Sequence, residues 1–171
     1  MRNSMIHFEE RGYINMNIDI RIGTENDIAT SHKIMREAFE EYRDLDVPSS
    51  AITEPVEKLK TAFNNGTENF IMCFMNGEPQ GTSRFHFKED YLYFSRLSVP
   101  PVSRGKGLAK MMLSWLEDYA RSNGKLKVQC KVRHELKRNI ELYRSIGYQI
   151  VKEENVDNPN LVRTVVMEKL V

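Results

Sequence analysis

Two kinds of hydrophobic pattern divide this chain into strands and helices. Ile18, Ile20 and Ile22 alternate with polar residues, which predicts a strand. Apolar residues between Leu108 and Ala120 recur instead at three- and four-residue spacing, which predicts an amphipathic helix. Applied along the whole chain, the two patterns predict the element order β-α-α-β-β-β-α-β-α-β-β.

Turn and cap residues place the boundaries of these elements. Asn76-Gly77 is typical of a hairpin turn, Thr24-Glu25-Asn26-Asp27 resembles a capping box, and Pro100-Pro101 ends a strand. The expected strands lie near residues 18–22, 69–75, 80–87, 91–99, 126–132, 148–152 and 162–170. The expected helices lie near residues 28–42, 53–63, 108–120 and 136–146, with a loop over residues 43–51.

Composition indicates a globular protein and limits the classes of partner. The 171 residues are 40% hydrophobic and 29% charged, and 25 Lys and Arg against 24 Asp and Glu give a net charge of +1. This balance provides no general attraction for nucleic acid or an anionic membrane. No apolar run reaches the roughly 18 residues of a membrane-spanning helix. We therefore expect neither partner, and we leave a homodimer open.

The cysteines and the N-terminal segment bear on location and domain limits. Cys73 and Cys130 both fall in predicted strands, where a reduced cysteine is usually a small buried apolar residue. Free thiols fit a cytoplasmic location. Residues 1–16 carry mixed charge and few apolar side chains, so we expect a loosely attached extension and not a signal peptide. Residues 17–171 form the expected domain.

A loop with two glycines lies between a strand and a helix. Arg104-Gly105-Lys106-Gly107-Leu108-Ala109 follows the aromatic strand 91–99 and opens the next helix. The first N–H groups of a helix have no partner inside it and carry the positive end of its dipole. The glycines let the backbone turn sharply and lie close to a bulky anion. The sequence therefore predicts a phosphate-binding loop, against the alternative of an ordinary tight connection.

Three motifs of this chain resemble those of the GNAT acetyltransferase superfamily and follow one another in the family's order. Members of this superfamily transfer an acetyl group from acetyl-CoA to an amine. The loop matches the family's Gln/Arg-x-x-Gly-x-Gly/Ala motif, and Arg96-Leu97-Ser98-Val99-Pro100 resembles the splayed strand before it. Asn139-Ile140-Glu141-Leu142-Tyr143-Arg144-Ser145-Ile146-Gly147-Tyr148 resembles the downstream Asn-x-x-x-Tyr…Gly-Phe/Tyr element. The resemblance covers roughly residues 17–170. It implies an α/β fold with a GNAT-like central mixed, mostly antiparallel sheet flanked by helices, in a single N-acetyltransferase domain.

The same resemblance implies acetyl-CoA as co-substrate and a set of residues that bind it. Leu97, Ser98 and Val99 would pair with the pantetheine arm like an added β-strand, and Asn139 would hydrogen-bond that arm. The pyrophosphate would be held by backbone N–H groups along one run of residues: Arg104, Gly105, Lys106, Gly107, Leu108, Ala109 and Lys110. No metal is expected, because the four histidines show no ligand spacing with the cysteines.

Tyr143 is the residue that the resemblance implies to be catalytic, as proton donor to the departing CoA thiolate. We expect a hydrogen bond to the developing thiolate, with complete proton transfer late or assisted by solvent. The alternative is that Tyr143 only packs, because Ile140, Tyr143 and Ile146 share helical spacing. The acceptor amine needs a base or a water chain, and the sequence offers several candidates without choosing among them: Glu37, Glu40, Glu41, Glu54 and, as a relay, His86.

Arg84 and Arg96 lie on neighbouring predicted strands. If both face the acceptor cleft, they could clamp a carboxylate, which would favour an amino acid or another acidic small molecule as acceptor. Solvation of both side chains, or pairing with Glu89 and Asp90, is the alternative.

These features together predict an acyl-CoA-dependent N-acetyltransferase. The acetyl group would pass directly to the primary amine of a small molecule in a ternary complex, without an acetyl-enzyme intermediate. One rival function is acetylation of protein lysines or N-termini, which would need an open groove. Another is a CoA-binding sensor without turnover, against which the retention of Tyr143 argues.

Overall fold

The structure is a computed structural model that describes residues 16–171. Its strands are β1 (Ile18–Ile22), β2 (Asn69–Met75), β3 (Glu78–Phe87), β4 (Tyr91–Ser98), β5 (Lys127–Arg133), β6 (Gln149–Glu154) and β7 (Thr164–Leu170). Its α-helices are α1 (Ile28–Phe39), α2 (Val56–Asn64), α3 (Leu108–Ser122) and α4 (Lys137–Ser145). The order is the predicted one. Residues 1–15 of the expected N-terminal extension lie outside the described residues, and the domain limits stay a prediction.

Hydrogen bonding orders the seven strands of residues 16–171 as β1-β2-β3-β4-β5-β7-β6. β4 and β5 pair in parallel, with Tyr91 opposite Lys127. The pairs β1–β2, β5–β7 and β6–β7 are antiparallel. A parallel pair needs a long crossover connection, which here contains the glycine loop and α3. The predicted mixed, mostly antiparallel sheet flanked by helices is confirmed.

The described chain forms two compact units. The first comprises residues 16–84 and 96–112, and the second comprises residues 85–95 and 113–171. β4 passes from the second unit into the first at Arg96, and α3 passes from the first into the second after Met112. The glycine loop therefore belongs to the first unit, and α4 belongs to the second.

Apolar side chains from α1, α2 and β2 form the core of the first unit. Its buried members are Ile28, Ile34, Leu59, Phe70 and Met72. Each such side chain contributes about 1.5–3 kcal/mol by leaving water. The helices face this core because their apolar residues recur at helical spacing.

The connection from β1 to α1 is held by the predicted capping interaction. The Asp27 carboxylate accepts hydrogen bonds from the Thr24 backbone N–H (2.8 Å) and the Thr24 hydroxyl (2.9 Å). Arg21 also donates to this carboxylate, and this hydrogen bond is the largest of the effects that lower the pKa of Asp27 to about 2. The capping box that the sequence predicts at Thr24 is confirmed.

The second unit shows the alternation expected of a strand with one buried face. Val128, Cys130 and Val132 of β5 are buried, whereas Lys127 and Lys131, which alternate with them, are partly or fully exposed. The outward lysines have acidic partners, Lys127 with Asp90 and Glu168, and Lys131 with Glu154. This face of β5 is therefore a surface of paired charges.

The helices of residues 16–171 are short and amphipathic. The longest, α3, has 15 residues. None of them has the length and apolar character that crossing a membrane requires.

Candidate active site

The glycine loop leaves β4 through a short 3-10 turn, Pro101–Ser103, and then enters α3. Gly105 and Gly107 both have a left-handed backbone, with φ angles of 77° and 78°, which glycine adopts without strain. A Cβ atom added at Gly105 would meet no atom of the protein within 4 Å. The loop therefore offers backbone beside open space, as binding a bulky anion requires.

The first turn of α3 supplies hydrogen-bond donors to this space. The backbone N–H of Met111 donates to the Gly107 carbonyl oxygen over 3.1 Å and closes that turn. Helix geometry leaves the N–H groups of Leu108, Ala109 and Lys110 without an acceptor inside the helix, and they carry the positive end of the helix dipole. The predicted strand, loop and helix are thus in place, while CoA binding by residues Gly105 to Lys110 stays a prediction.

Arg104 has a role that the sequence did not indicate. Its guanidinium donates to the Val99 carbonyl oxygen (2.9 Å), the Glu41 carboxylate (2.8 Å) and the Ala38 carbonyl oxygen (3.2 Å). Its backbone N–H donates to the Pro101 carbonyl oxygen over 3.3 Å. Arg104 therefore fastens the start of the loop to Val99, directly after β4, and to the end of α1. The expectation that it also contacts CoA stays a prediction.

β4 changes direction at Arg96, which has a left-handed backbone with φ of 53°. Such a conformation costs a residue other than glycine about 1 kcal/mol or more. The hydroxyl of buried Ser98 donates to the Arg96 carbonyl oxygen over 2.7 Å. In the pairing of β4 with β5, the register runs from Tyr91 to Tyr93, so Leu97 and Val99 follow the bend and lie outside that register. Pairing of Leu97, Ser98 and Val99 with the pantetheine arm stays a prediction.

The two arginines predicted to clamp a carboxylate do converge on one, which belongs to the protein itself. Arg84, with 4% of its surface exposed, contacts Glu54 Oε2 at 2.9 Å, and the Nε atom of Arg96 lies 3.9 Å from the same oxygen. Lys58 contacts Glu54 Oε1 at 3.1 Å. The structure thus pairs Arg84 with Glu54 and, at 3.8 Å, with Glu68. The alternative pairing of Arg84 with Glu89 and Asp90 is not what the structure shows.

This cluster sets the ionisation of its two carboxylates in opposite directions. Burial acts to raise the pKa of Glu54, but the hydrogen bond and charge of Arg84 outweigh it, so the pKa lies below its ordinary value. Burial raises the pKa of Glu68 above its ordinary value, since Arg84 is farther from that carboxylate. Glu68, Arg84 and Arg96 follow Glu54 in the chain by 14, 30 and 42 residues, which explains why sequence patterns of short range did not reveal this cluster.

Each of the four carboxylates considered as a base has a cationic partner: Glu37 with Lys33, Glu40 with Arg43, Glu41 with Arg104, and Glu54 with Arg84. Hydrogen bonding to Arg43 lowers the pKa of Glu40 as well. A carboxylate of lowered pKa is a weaker proton acceptor, which counts against Glu40 and Glu54 as the base. His86 lies across from Tyr93, with ring centroids 5.1 Å apart, and burial lowers its pKa. None of these groups is singled out as the base.

Tyr143 lies in the second unit, on α4, inside an aromatic cluster. It is 7% exposed, and its ring centroid lies 5.8 Å from those of both Phe94 and Tyr148. Asn139 is half-buried one helical turn earlier, which places the two on the same side of α4. The ring of Tyr143 therefore packs in the interior, as the alternative interpretation expected. The role of its hydroxyl in catalysis stays a prediction.

Both cysteines are buried inside strands and unpaired. Burial raises the pKa of Cys73 to about 12, and it raises the pKa of Cys130 above its ordinary value as well. Thiols of this kind are inert, because the thiolate is the nucleophile. Among residues 16–171, no three His, Cys, Asp or Glu side chains come together as a metal site would require.

Comparisons with known proteins bear on the family and the fold. The model of the acetyltransferase (GNAT) family matches residues 32–148. A thialysine N-epsilon-acetyltransferase from Caenorhabditis elegans is 26% identical over 113 residues, which are 63% of this chain and 71% of that protein. The N-terminal acetyltransferase B complex catalytic subunit naa20 of Schizosaccharomyces pombe is 29% identical over 82 residues, which are 48% of this chain but only 43% of that protein.

A solved structure shows the same fold. The crystal structure of the PaiA N-acetyltransferase from Thermoplasma acidophilum, in complex with coenzyme A, superposes with a TM-score of 0.74 at 19% identity, covering 91% of this chain and 99% of that one. The family match spans more than half of this chain and includes β4, the glycine loop, α3 and α4. The protein therefore belongs to the GNAT acetyltransferase family and is an acyl-CoA-dependent N-acetyltransferase.

Proposed function

We propose that this enzyme transfers the acetyl group of acetyl-CoA directly to the primary amine of a small molecule. The observation that carries the proposal is the glycine loop. Both of its glycines have a left-handed backbone, the Cβ position of Gly105 faces open space, and the first N–H groups of α3 have no acceptor within the helix. A diphosphate is the anion that such a loop fits, and coenzyme A carries one.

Direct transfer is supported by the absence of a suitable nucleophile at the cysteines. Cys73 and Cys130 are buried, and their raised pKa values keep both thiols protonated at neutral pH. An acetyl-cysteine intermediate would need an exposed thiolate. The amine therefore attacks the thioester while both substrates are bound.

The proposed residue roles follow the family's motifs. Residues Gly105 to Lys110 bind the pyrophosphate, Leu97 to Val99 pair with the pantetheine arm, and Asn139 hydrogen-bonds that arm. Tyr143 donates a hydrogen bond to the thiolate as it departs. Helices α1 and α2 border the acceptor.

A small-molecule acceptor is supported by the longer of the two sequence matches. The thialysine acetyltransferase is matched over 71% of its length, and the N-terminal acetyltransferase subunit over 43%. The latter match is the reason to keep acetylation of a peptide N-terminus as the second candidate. Two buried, unpaired cysteines support a cytoplasmic location.

The test is an assay of thiol release with matched acceptors. The enzyme is incubated with acetyl-CoA and, separately, with thialysine, L-lysine, a peptide with a free N-terminus, the same peptide with a blocked N-terminus, and a tertiary amine that cannot be acetylated. Free CoA thiol is measured, and acetylated product is identified by mass spectrometry. Turnover of the small primary amines is expected. Turnover of the free peptide alone would favour the second candidate, and CoA binding without any turnover would indicate a sensor.

A further inference from the structure

Arg96 has a backbone conformation that its residue type does not favour. Among the described residues other than glycine, positive φ angles occur at Asn76, Arg96 and Asn155. Asparagine tolerates this region because its short side chain can bond to nearby backbone. Arginine lacks that advantage, and Arg96 lies within β4. The surrounding contacts must therefore hold it there.

The side chain of Arg96 supplies such contacts. A terminal nitrogen of the guanidinium donates to the Ser50 hydroxyl over 3.0 Å, and the guanidinium lies 5.7 Å from the centre of the Phe39 ring. The Nε atom lies 3.9 Å from Glu54, whose closer partner is Arg84. Phe39 ends α1, and Ser50 and Glu54 lie on the connection from α1 to α2. One side chain thus joins β4 to that connection.

The main chain of Arg96 is held by a separate hydrogen bond, from Ser98. Its carbonyl oxygen accepts the hydrogen bond of the buried Ser98 hydroxyl at 2.7 Å. The peptide between Arg96 and Leu97 is planar and trans, so fixing its carbonyl oxygen also fixes the direction of the Leu97 N–H. The orientation of Leu97 to Val99 is therefore set at Arg96.

We propose that Arg96 is a positioning residue for acetyl transfer, because its guanidinium fixes the bend of β4 against the connection between α1 and α2. This inference rests on the proposed function, in which Leu97 to Val99 receive the acetyl-bearing arm and α1 and α2 border the acceptor. The contact fixes Leu97 to Val99, which receive the acetyl-bearing arm, relative to α1 and α2, which border the acceptor. Loss of the contact reduces kcat, because small displacements of reacting groups have large effects on rate.

Three substitutions separate the side chain from the backbone. Arg96→Gly loses the guanidinium but accepts the left-handed backbone without strain. Arg96→Ala loses the guanidinium and does not gain that tolerance. Arg96→Lys keeps a charge without the planar fork. We expect Arg96→Gly to fold with a Kd for CoA within about twofold of wild type and kcat reduced about 10- to 100-fold. Arg96→Lys should be intermediate. Asn155→Gly, another positive-φ position in the second unit, is the matched control and should keep its rate.

A double-mutant cycle with Ser50→Ala assigns the effect to the contact. If Arg96 acts through Ser50, the rate losses of Arg96→Gly and Ser50→Ala combine to less than their product. A wild-type kcat in Arg96→Gly overturns the proposal. The proposal is also overturned if Arg96→Gly lowers the melting temperature and the CoA affinity together without a separate loss of kcat. That pattern indicates a merely structural role.

Amide hydrogen exchange decides the inference even if no acceptor is turned over. With CoA bound, Arg96→Gly should exchange at least about fivefold faster than wild type over residues 97–99 and 43–52, with the rest of the chain unchanged. Unchanged exchange in both segments overturns the proposal. If the wild-type enzyme shows no turnover but Arg96→Gly shows the expected faster exchange in both segments, only the proposed function is refuted.

Discussion

Tyr143 shows how one residue serves packing and chemistry through different atoms. Its ring contacts Phe94 and Tyr148 inside a cluster of edge-to-face and tilted rings, which stabilises α4 against β4. Its hydroxyl is the group that the proposed mechanism uses. Since Phe keeps the ring and removes only the hydroxyl, the two roles can be separated by substitution.

We expect Tyr143→Phe to lower kcat about 100-fold while leaving the Kd for CoA unchanged, because a positioned acid contributes about 10²–10⁴ in rate. Steady-state kinetics and calorimetry with CoA measure the two quantities. Tyr148→Phe is the matched control, because Tyr148 is a neighbouring buried ring whose pKa is raised by burial and by Glu117. Equal rates in Tyr143→Phe and wild type would remove the proton-donor role.

Single residues were predicted less completely. The sequence suggested that Arg84 could meet a substrate carboxylate, with solvation or pairing with Glu89 and Asp90 as the alternative. The structure places it, buried, beside Glu54, and its role toward a substrate stays a prediction. Glu54 precedes α2 and Arg84 lies on β3, 30 residues later in the chain, so no local periodicity connects them. The left-handed conformation of Arg96 was likewise hidden, because its residue type does not favour it and its contacts include residues distant in the chain, such as Ser50.

Elements were predicted better than residues. Every strand and α-helix of residues 16–171 was expected in its observed order, and the hairpin turn at Asn76-Gly77 has the positive φ angles of 53° and 82° that its sequence favours. Boundaries moved by up to three residues: α1 ends at Phe39 instead of residue 42, and α2 begins at Val56 instead of residue 53. The Tyr148 N–H donates to the Tyr143 carbonyl oxygen and closes α4, so β6 begins one residue later, at Gln149.

The glycine loop gives a prediction at the scale of an element. Gly105→Val places a branched Cβ where φ is 77° and where the proposed phosphate lies. We expect the Kd for CoA to rise about 10- to 100-fold, corresponding to about 1.5–3 kcal/mol of hydrogen bonding to a charged group. Calorimetry with CoA measures this change.

The matched control for the loop lies at the other end of α3. Gly124→Val introduces the same branched side chain at a φ of 71°, also with no protein atom within 4 Å of the added Cβ. It should lower the melting temperature to a similar extent as Gly105→Val and leave CoA affinity unchanged. If both variants lost CoA affinity equally, the loop would have no special role in binding.

The two buried cysteines, Cys73 and Cys130, give a prediction at the scale of the whole molecule. We expect the native enzyme to resist labelling by a disulfide reagent at pH 8, because Cys73 and Cys130 are buried and burial raises the pKa of Cys73 to about 12. Both should react once urea unfolds the chain. Labelling of the folded enzyme at the rate of a free thiol, with loss of activity, would contradict direct transfer.

The position of β7 has a consequence for how the sheet forms. β7 (Thr164–Leu170) lies between β5 and β6 and pairs with both. Both neighbours precede β7 in the chain, so neither can make these strand pairs until β7 has been synthesised. A chain lacking β7 would expose the edges of β5 and β6 that pair with it, and unpaired strand edges favour aggregation.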